Sequence, residues 1–471
     1  MNTIQVISNS GIVFGTSGAR GLVKDFTPSV CMAFTHAFVN ILKKESPFTT
    51  VALGIDNRPS SYSMAQACAA ALNESGIEPI FYGVLPTPAL ALTARKNKIP
   101  CIMVTGSHIP FDRNGLKFYK ATGEITKSDE IEITKASVDF SIPATLPKLE
   151  PCADAEEIYI KRYTSLFSSD IFSGKRIGIY EHSSAGREIY HKIFTALGAE
   201  VIRLARSDEF VPIDTEAVTE EDQAKAVRWS REYQLDAIFS TDGDGDRPLL
   251  ADEKGEWLRG DILGLLCSRA LHIEAVAVPI SCNTAIQKSN YFKRVELTRI
   301  GSPYVIDAFS KLQNKYANIA GFEANGGYLL GSNITYNDAV LDSLPTRDAV
   351  LPAIIVIAAA QHKVISDLIL NLPERYTYSD RLQNFPRNSS SRILQGALVS
   401  PEHFIRKLGI IGRSIQNIDQ TDGIRLTLDD ESVVHLRPSG NAPELRCYAE
   451  SSNNLHAQEL VVQVLKNIKD L

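Results

Sequence analysis

Short apolar runs alternate along this chain with longer segments whose apolar residues recur at helical spacing, and the alternation restarts three times. In the first round, 11–14, 51–55, 77–82 and 101–105 read as strands, and 27–44, 60–74 and 88–97 as helices. Thr27 is placed to cap the first of these helices, with Pro28 at its first position. Residues 15–21 form a glycine-rich loop between elements, and this round is expected to build a mostly parallel, helix-covered sheet. A proline-rich stretch, 142–151, reads as a linker. A second round follows, with helices 154–167, 186–197 and 220–233 and strands 176–180, 200–204 and 237–240. A third has helices 261–271 and 305–313, strands 275–279 and 295–299, and a long apolar helix over 338–361. The tail changes character: strands 423–428, 433–436 and 444–449 and a helix over 456–465 indicate a separate α+β domain. The expected division is 1–150, 151–255 and 256–370, each α/β with a mixed sheet, then 371–471 as α+β.

Composition supports this partition. The chain has 471 residues, too many for one hydrophobic core, and 44% are hydrophobic and 22% charged, as in ordinary globular proteins. With 49 Lys+Arg against 55 Asp+Glu, the net charge of −6 argues against nucleic acid as the principal partner. Seven scattered cysteines without a Cys-x-x-Cys fit reduced thiols used as core filler. The N-terminus lacks the pattern of a signal peptide, and the longest apolar run, 349–360, is too short to span a bilayer. A cytoplasmic protein, monomeric or weakly dimeric and without a membrane partner, is the expectation.

Four segments carry candidate chemistry. The apolar run 101–104 leads into Thr105-Gly106-Ser107-His108, stopped by Pro110, which places a serine hydroxyl at the mouth of a sheet with a histidine beside it and Lys117 ten residues on. A serine in such a turn is by itself an ordinary turn residue. The strand ending at Ser240 runs into Asp242-Gly243-Asp244-Gly245-Asp246-Arg247, three carboxylates at alternate positions that can face one cation; all-oxygen donors suit Mg²⁺. An EF-hand is excluded because its sixth position is Arg247 and a strand, not a helix, precedes it. Two other readings of the same residues are an Asp-Gly turn without an ion, and a phosphotransferase in which Asp242 is the nucleophile. In Glu323-Ala324-Asn325-Gly326-Gly327, a carboxylate and an amide two residues apart can meet adjacent sugar hydroxyls, or simply form a turn. Arg437-Pro438-Ser439-Gly440-Asn441, with Arg446 on the next strand, has the makings of a phosphate cradle, the alternative being a proline-bounded hairpin loop.

In this order the segments Phe14 to Gly21, the Ser107 turn, Asp242 to Arg247 and Arg437 to Arg446 resemble those of the α-D-phosphohexomutases. The resemblance implies a four-domain, heart-shaped protein with its site in the central cleft. It implies a Mg²⁺-dependent isomerase moving phosphate between O1 and O6 of a hexose through a bisphosphorylated sugar, which also serves as activator. It further implies that Ser107 carries the phosphoryl group and, with Asp242, Asp244 and Asp246, binds the metal. Arg20 and Arg247 would border that site, and His108 and Lys117 would handle protons. Glu323 and Asn325 would face the sugar, while Arg437, Ser439, Gly440, Asn441 and Arg446 would bind the phosphate not being transferred. Mannose phosphate is the leading expectation for the substrate, with glucose and glucosamine phosphates next and a catalytically silent sugar-phosphate binder as the non-enzymatic alternative. The chain departs from the family pattern at Gly106 and Ile109 (usually Ala and Asn), at Asn325 and Gly327 (usually Ser and His), at Ser302 in a segment that often reads Gly-His, and at Asn441-Ala442 (usually Thr-Glu).

Overall fold

A computed structural model describes residues 1–15, 18–439 and 444–470. Its sheets follow chain order. The first has seven strands; along its main path lie Val13–Phe14, Ala19–Leu22, Arg113–Lys120, Cys101–Val104, Thr50–Ile55 and Glu78–Val84. Cys101–Val104 pairs parallel with Thr50–Ile55 but antiparallel with Arg113–Lys120, so the sheet is mixed and not mostly parallel. All four residues of Cys101–Val104 are buried, which is why the run is apolar without alternation. The second sheet orders Pro248–Ala251, Ala237–Thr241, Arg176–His182 and Glu200–Arg206. The third orders Arg294–Thr298, Ala275–Pro279, Ile319–Phe322, Tyr328–Leu330 and Leu344–Asp348. The last is an antiparallel sheet of Tyr376–Leu382, Leu445–Ser451, Val433–Pro438, Ile424–Leu428 and Ile415–Asp419.

Most helices lie where the periodicity puts them; Thr27 caps Pro28–Glu45 through the Val30 N–H, and Glu220–Tyr233 is capped by Thr219. Two further expectations fail. The helix over 338–361 is instead two strands, Ala339–Leu341 and Leu344–Asp348, followed by a shorter helix, Val350–Ala359. Pro345 and the charged pair Arg347–Asp348 belong to a buried strand, where an ion pair to Asp246 and a hydrogen bond from the Tyr163 hydroxyl to Asp348 replace the solvent a helix surface would offer. Arg20 lies not in a loop but on Ala19–Leu22, opposite Gly115. The tail also contains the helices Arg387–Val399 and Pro401–Lys407.

One buried apolar cluster runs continuously through parts of the first three sheet regions, joining Leu90, Tyr159, Phe239, Phe322 and Ile354. The tail has its own core, built from Leu382, Phe404, Leu426, Leu445 and Val461 among others. All seven cysteines are free, six of them buried. Among the described residues no helix is long and apolar enough to cross a membrane.

Candidate functional site

The C-terminal ends of Cys101–Val104 and Ala237–Thr241 meet, and the turns that follow them face each other. Ser107 Oγ donates to Asp242 Oδ2 at 2.6 Å. Ser107 is fully buried and has a positive φ of 55°, uncommon for a residue with a side chain. It is held there by its N–H donating to Thr105 Oγ1 at 2.8 Å and by Arg58, a residue the sequence reading passed over. The buried Arg58 guanidinium donates to the carbonyls of Ser107, Ile109, Pro110 and Arg113 and pairs with Asp56 at 3.2 Å. Phe210 covers its outer face, 3.9 Å from ring centroid to guanidinium carbon. This accounts for Gly106: a Cβ there would lie 2.4 Å from that guanidinium carbon.

The three aspartates are buried, and one carboxylate oxygen of each lies within 4.8 Å of the others. Each oxygen pair is divided in use. Asp244 Oδ2 accepts from Thr87 Oγ1 and from Lys117 Nζ, both at 2.6 Å. Asp246 Oδ2 accepts from Lys117 Nζ at 2.8 Å and from Arg347 Nε at 3.1 Å. The Oδ1 atoms of Asp244 and Asp246 are buried without a hydrogen-bond partner. Asp242 Oδ1 accepts the N–H groups of Asp246 and Arg247 at 3.2 and 3.3 Å. Burial and the two neighbouring carboxylates push Asp242 well above the usual carboxylate range. Burial acts likewise on Asp244 and Asp246, but there it is overcome, by Lys117 and Thr87 at Asp244 and chiefly by Arg347 at Asp246, so both are held below it. Two buried carboxylate oxygens without a hydrogen-bond donor, Asp246 Oδ1 having only Arg247 Nε at 3.6 Å, leave lone pairs open to a further cation. Hard oxygen donors of this kind fit a divalent cation such as Mg²⁺.

The surrounding cations are Arg247, whose Nη1 lies 2.9 Å from His108 Nδ1, and Arg20. Burial, then the nearby Arg247 and Arg347, pull Arg20 down to about 10. Burial and the same Arg247, with Arg20, push His108 well below its ordinary value, so its ring is neutral at neutral pH. Because a guanidinium only donates, Nδ1 accepts and the ring proton resides on Nε2. The 3.4 Å approach of Ser107 Oγ to Nδ1 is the weaker of the serine's two side-chain contacts.

The remaining segments connect through residues that sequence reasoning missed. Glu323 is buried and receives Arg347 Nη1 at 3.2 Å. Asn325 Oδ1 accepts the Gly327 N–H at 3.0 Å, and its carbonyl accepts Thr215 Oγ1 at 2.7 Å, so it shapes the loop. Neighbouring Glu216 is raised by burial and by Asp214, while Arg259, Arg446 and Arg247 act in the opposite direction. Arg437 and Arg446 sit directly opposite each other on adjacent strands. Like charges in that position repel, an arrangement suited to an anion; Arg437 meanwhile lies 2.8 Å from Asp422. Ser439 is buried at the end of this strand, whereas Gly440 and Asn441 lie outside the described residues. A cavity of about 640 Å³ opens beside Arg446, Glu216 and Tyr448.

Four family models, described as phosphoglucomutase/phosphomannomutase alpha/beta/alpha domains I, II and III and the C-terminal domain, match residues 11–139, 157–255, 259–376 and 393–467. A phosphomannomutase of Salmonella muenchen is 59% identical over 468 residues, covering 99% of this chain and 98% of the relative. The chain belongs to the phosphoglucomutase/phosphomannomutase family. Another family member, a phosphomannomutase of Sinorhizobium fredii, is 41% identical over 97% of this chain and 98% of its own. Among solved structures, a phosphoglucomutase/phosphomannomutase family protein from Burkholderia thailandensis superposes with a TM-score of 0.74 at 18% identity, covering 97% of both chains. An Aspergillus fumigatus N-acetylphosphoglucosamine mutase, solved with GlcNAc-6P and magnesium, gives 0.60 at 14% identity, covering 99% of both. These structures share the family's four-domain α/β fold.

Proposed function

We propose that this chain is a phosphomannomutase that interconverts mannose 6-phosphate and mannose 1-phosphate through phosphorylated Ser107 and a bisphosphorylated hexose. The observation that carries the chemistry is the 2.6 Å hydrogen bond from Ser107 Oγ to Asp242, beside two orphaned aspartate oxygens. The choice of mannose rests on the two relatives named phosphomannomutase at 59% and 41% identity.

Asp242, Asp244 and Asp246, with an oxygen on Ser107, are the residues that would hold Mg²⁺, as magnesium accompanies GlcNAc-6P in the Aspergillus neighbour. Bound there, the cation supplies charge neutralisation to the phosphoryl group. The chain's own groups do the rest. Arg437, Ser439, Gly440, Asn441 and Arg446 grip the phosphate that stays, while Glu323 and Asn325 orient the ring hydroxyls. A sugar hydroxyl attacks phosphorus in line; the bond from phosphorus to Ser107 Oγ breaks as the bond to the sugar oxygen forms. The hydroxyl proton ends on Ser107 Oγ, and neutral His108 and Lys117 lie at hand to relay it. The bisphosphorylated sugar turns over, and the reverse transfer returns the other phosphate to Ser107. Arg20 and Arg247 face the charge that shifts between these steps. An Asp242 nucleophile would leave the Ser107 turn without a part in the reaction.

A coupled assay with Mg²⁺, a bisphosphorylated activator and mannose, glucose or glucosamine 1-phosphate tests the substrate. Turnover fastest on glucose or glucosamine phosphate reassigns the sugar, and none on any sugar leaves a silent binder. Intact mass should show an added phosphate of about 80 Da that is lost in Ser107→Ala. Near-full turnover by that variant would sink the phosphoserine route.

A further inference from the structure

We infer that Arg347 is a positioning residue that fixes Asp246 for the cation and Glu323 for the sugar at once, and that Gly327 is glycine because Arg347 fills its side-chain space. The inference rests on the phosphohexomutase reading of the site. Arg347 lies on the strand Leu344–Asp348 and is 2% exposed. Its Nε and Nη2 lie 3.1 and 3.0 Å from Asp246 Oδ2, and its Nη1 lies 3.2 Å from Glu323 Oε2 and 3.3 Å from Ser302 Oγ. Ser302 Oγ in turn donates to Glu124 Oε2 at 3.0 Å, and Thr346 Oγ1 donates to Glu124 Oε1 at 3.1 Å. One planar cation thus joins the aspartate loop, the sugar-facing loop and the first sheet. A guanidinium can satisfy two carboxylates from different edges of its fork; an ammonium at this position cannot.

The consequence at Asp246 is a choice of oxygen. Arg347 and Lys117 both engage Oδ2, so only Oδ1 is left for a cation. At Gly327 a Cβ would stand 2.4 Å from Arg347 Cδ and 2.6 Å from its Cγ. Any side chain at 327 would therefore displace the arginine. The departures at Gly327 and Ser302 are then one arrangement: the cation at this edge of the cleft arrives from a third segment.

The test uses the full chain and the variants Arg347→Lys, Arg347→Met and Gly327→Ala, with Mg²⁺ affinity measured calorimetrically on dephosphorylated protein alongside kcat and KM. Arg347→Met removes a positive charge from a ligand carboxylate, so its Mg²⁺ affinity should rise at least tenfold while kcat/KM falls at least a hundredfold. Arg347→Lys should keep Mg²⁺ affinity within about threefold of wild type yet raise KM at least tenfold. Gly327→Ala, which removes no charge, should reproduce the kinetic loss by pushing the arginine aside. Unchanged Mg²⁺ affinity in Arg347→Met, or a fall in affinity that tracks a lowered melting temperature across the variants, would overturn the inference. So would wild-type kinetics in Arg347→Lys. If wild type itself turns over no hexose phosphate, the functional reading fails, and the Mg²⁺ titrations still decide the part played by Arg347 at Asp246.

Discussion

Replacing Arg58 by alanine should damage the Ser107 turn without touching the cleft. The side chain donates to four carbonyls of the 107–113 segment and balances Asp56, both groups being fully shielded from water. Breaking a buried ion pair by removing one partner costs about 3–5 kcal/mol. Asp56 retains Ser61 Oγ, Thr105 Oγ1 and the Gly106 N–H as donors, which places the loss toward the lower end of that range. The freed carbonyls should let Ser107 leave its left-handed conformation, and a displacement of about 1 Å at a reacting atom can cost on the order of 100-fold in rate. Urea unfolding followed by the fluorescence of a reporter in the first domain, together with kcat for mannose 1-phosphate, reads both effects. Arg58→Lys should recover little, since one ammonium cannot reach carbonyls on opposite sides of the turn. An Arg58→Ala protein with wild-type unfolding midpoint and kcat would refute the claim that this guanidinium holds the turn.

Ser107→Gly should be about 1 kcal/mol more stable than Ser107→Ala, because glycine adopts the φ of 55° without strain; equal midpoints in urea would show that the turn relaxes instead. Stability should fall as pH is lowered from about 7 toward 4, because burial drops both His182 and His435 from 6.5 to about 4. The unfolded chain then binds protons that the folded one refuses, and the gap between 6.5 and about 4 is worth about 3 kcal/mol per histidine; a double His→Gln variant should flatten urea midpoints measured across this window. Mg²⁺ at about 100 times its dissociation constant should stabilise the protein by about 2.7 kcal/mol, and Asp244→Asn should abolish most of that thermal shift.

What could be read along the chain, and what could not, divides by sequence distance. The Ser107 turn and the aspartate triad are contiguous, and each follows an apolar run that marks a buried strand, so their placement at strand ends was visible. Arg58, Thr87 and Arg347 act on those loops from far along the chain, and nothing in their own neighbourhoods distinguishes them from surface residues. Arg347 and Asp348 look like the polar face of a helix. Only tertiary partners, Asp246 and Glu323 for one, Tyr159 and Tyr163 for the other, make a buried strand tolerable there. The same side chains explain Gly106 and Gly327, which in the sequence were departures from a pattern and in the structure are the spaces taken by the Arg58 guanidinium and the aliphatic stem of Arg347.

Thr87, at the head of the helix Thr87–Lys96, donates its N–H to the Asp244 carbonyl at 2.8 Å and its hydroxyl to the carboxylate of the same residue. The helix belongs to the first sheet and the aspartate to the second, so the two units are riveted at the aspartate loop itself. Any hinge opening between them would pull Thr87, Lys117 and Ser107 away from the aspartate loop. A sugar that must turn end over end therefore needs its room made elsewhere. The tail has a core of its own and meets the third region through contacts such as the Thr284 N–H to Glu450 at 2.9 Å and the Ile300 N–H to Asp422 at 3.0 Å, and these are the contacts such a turn would have to loosen.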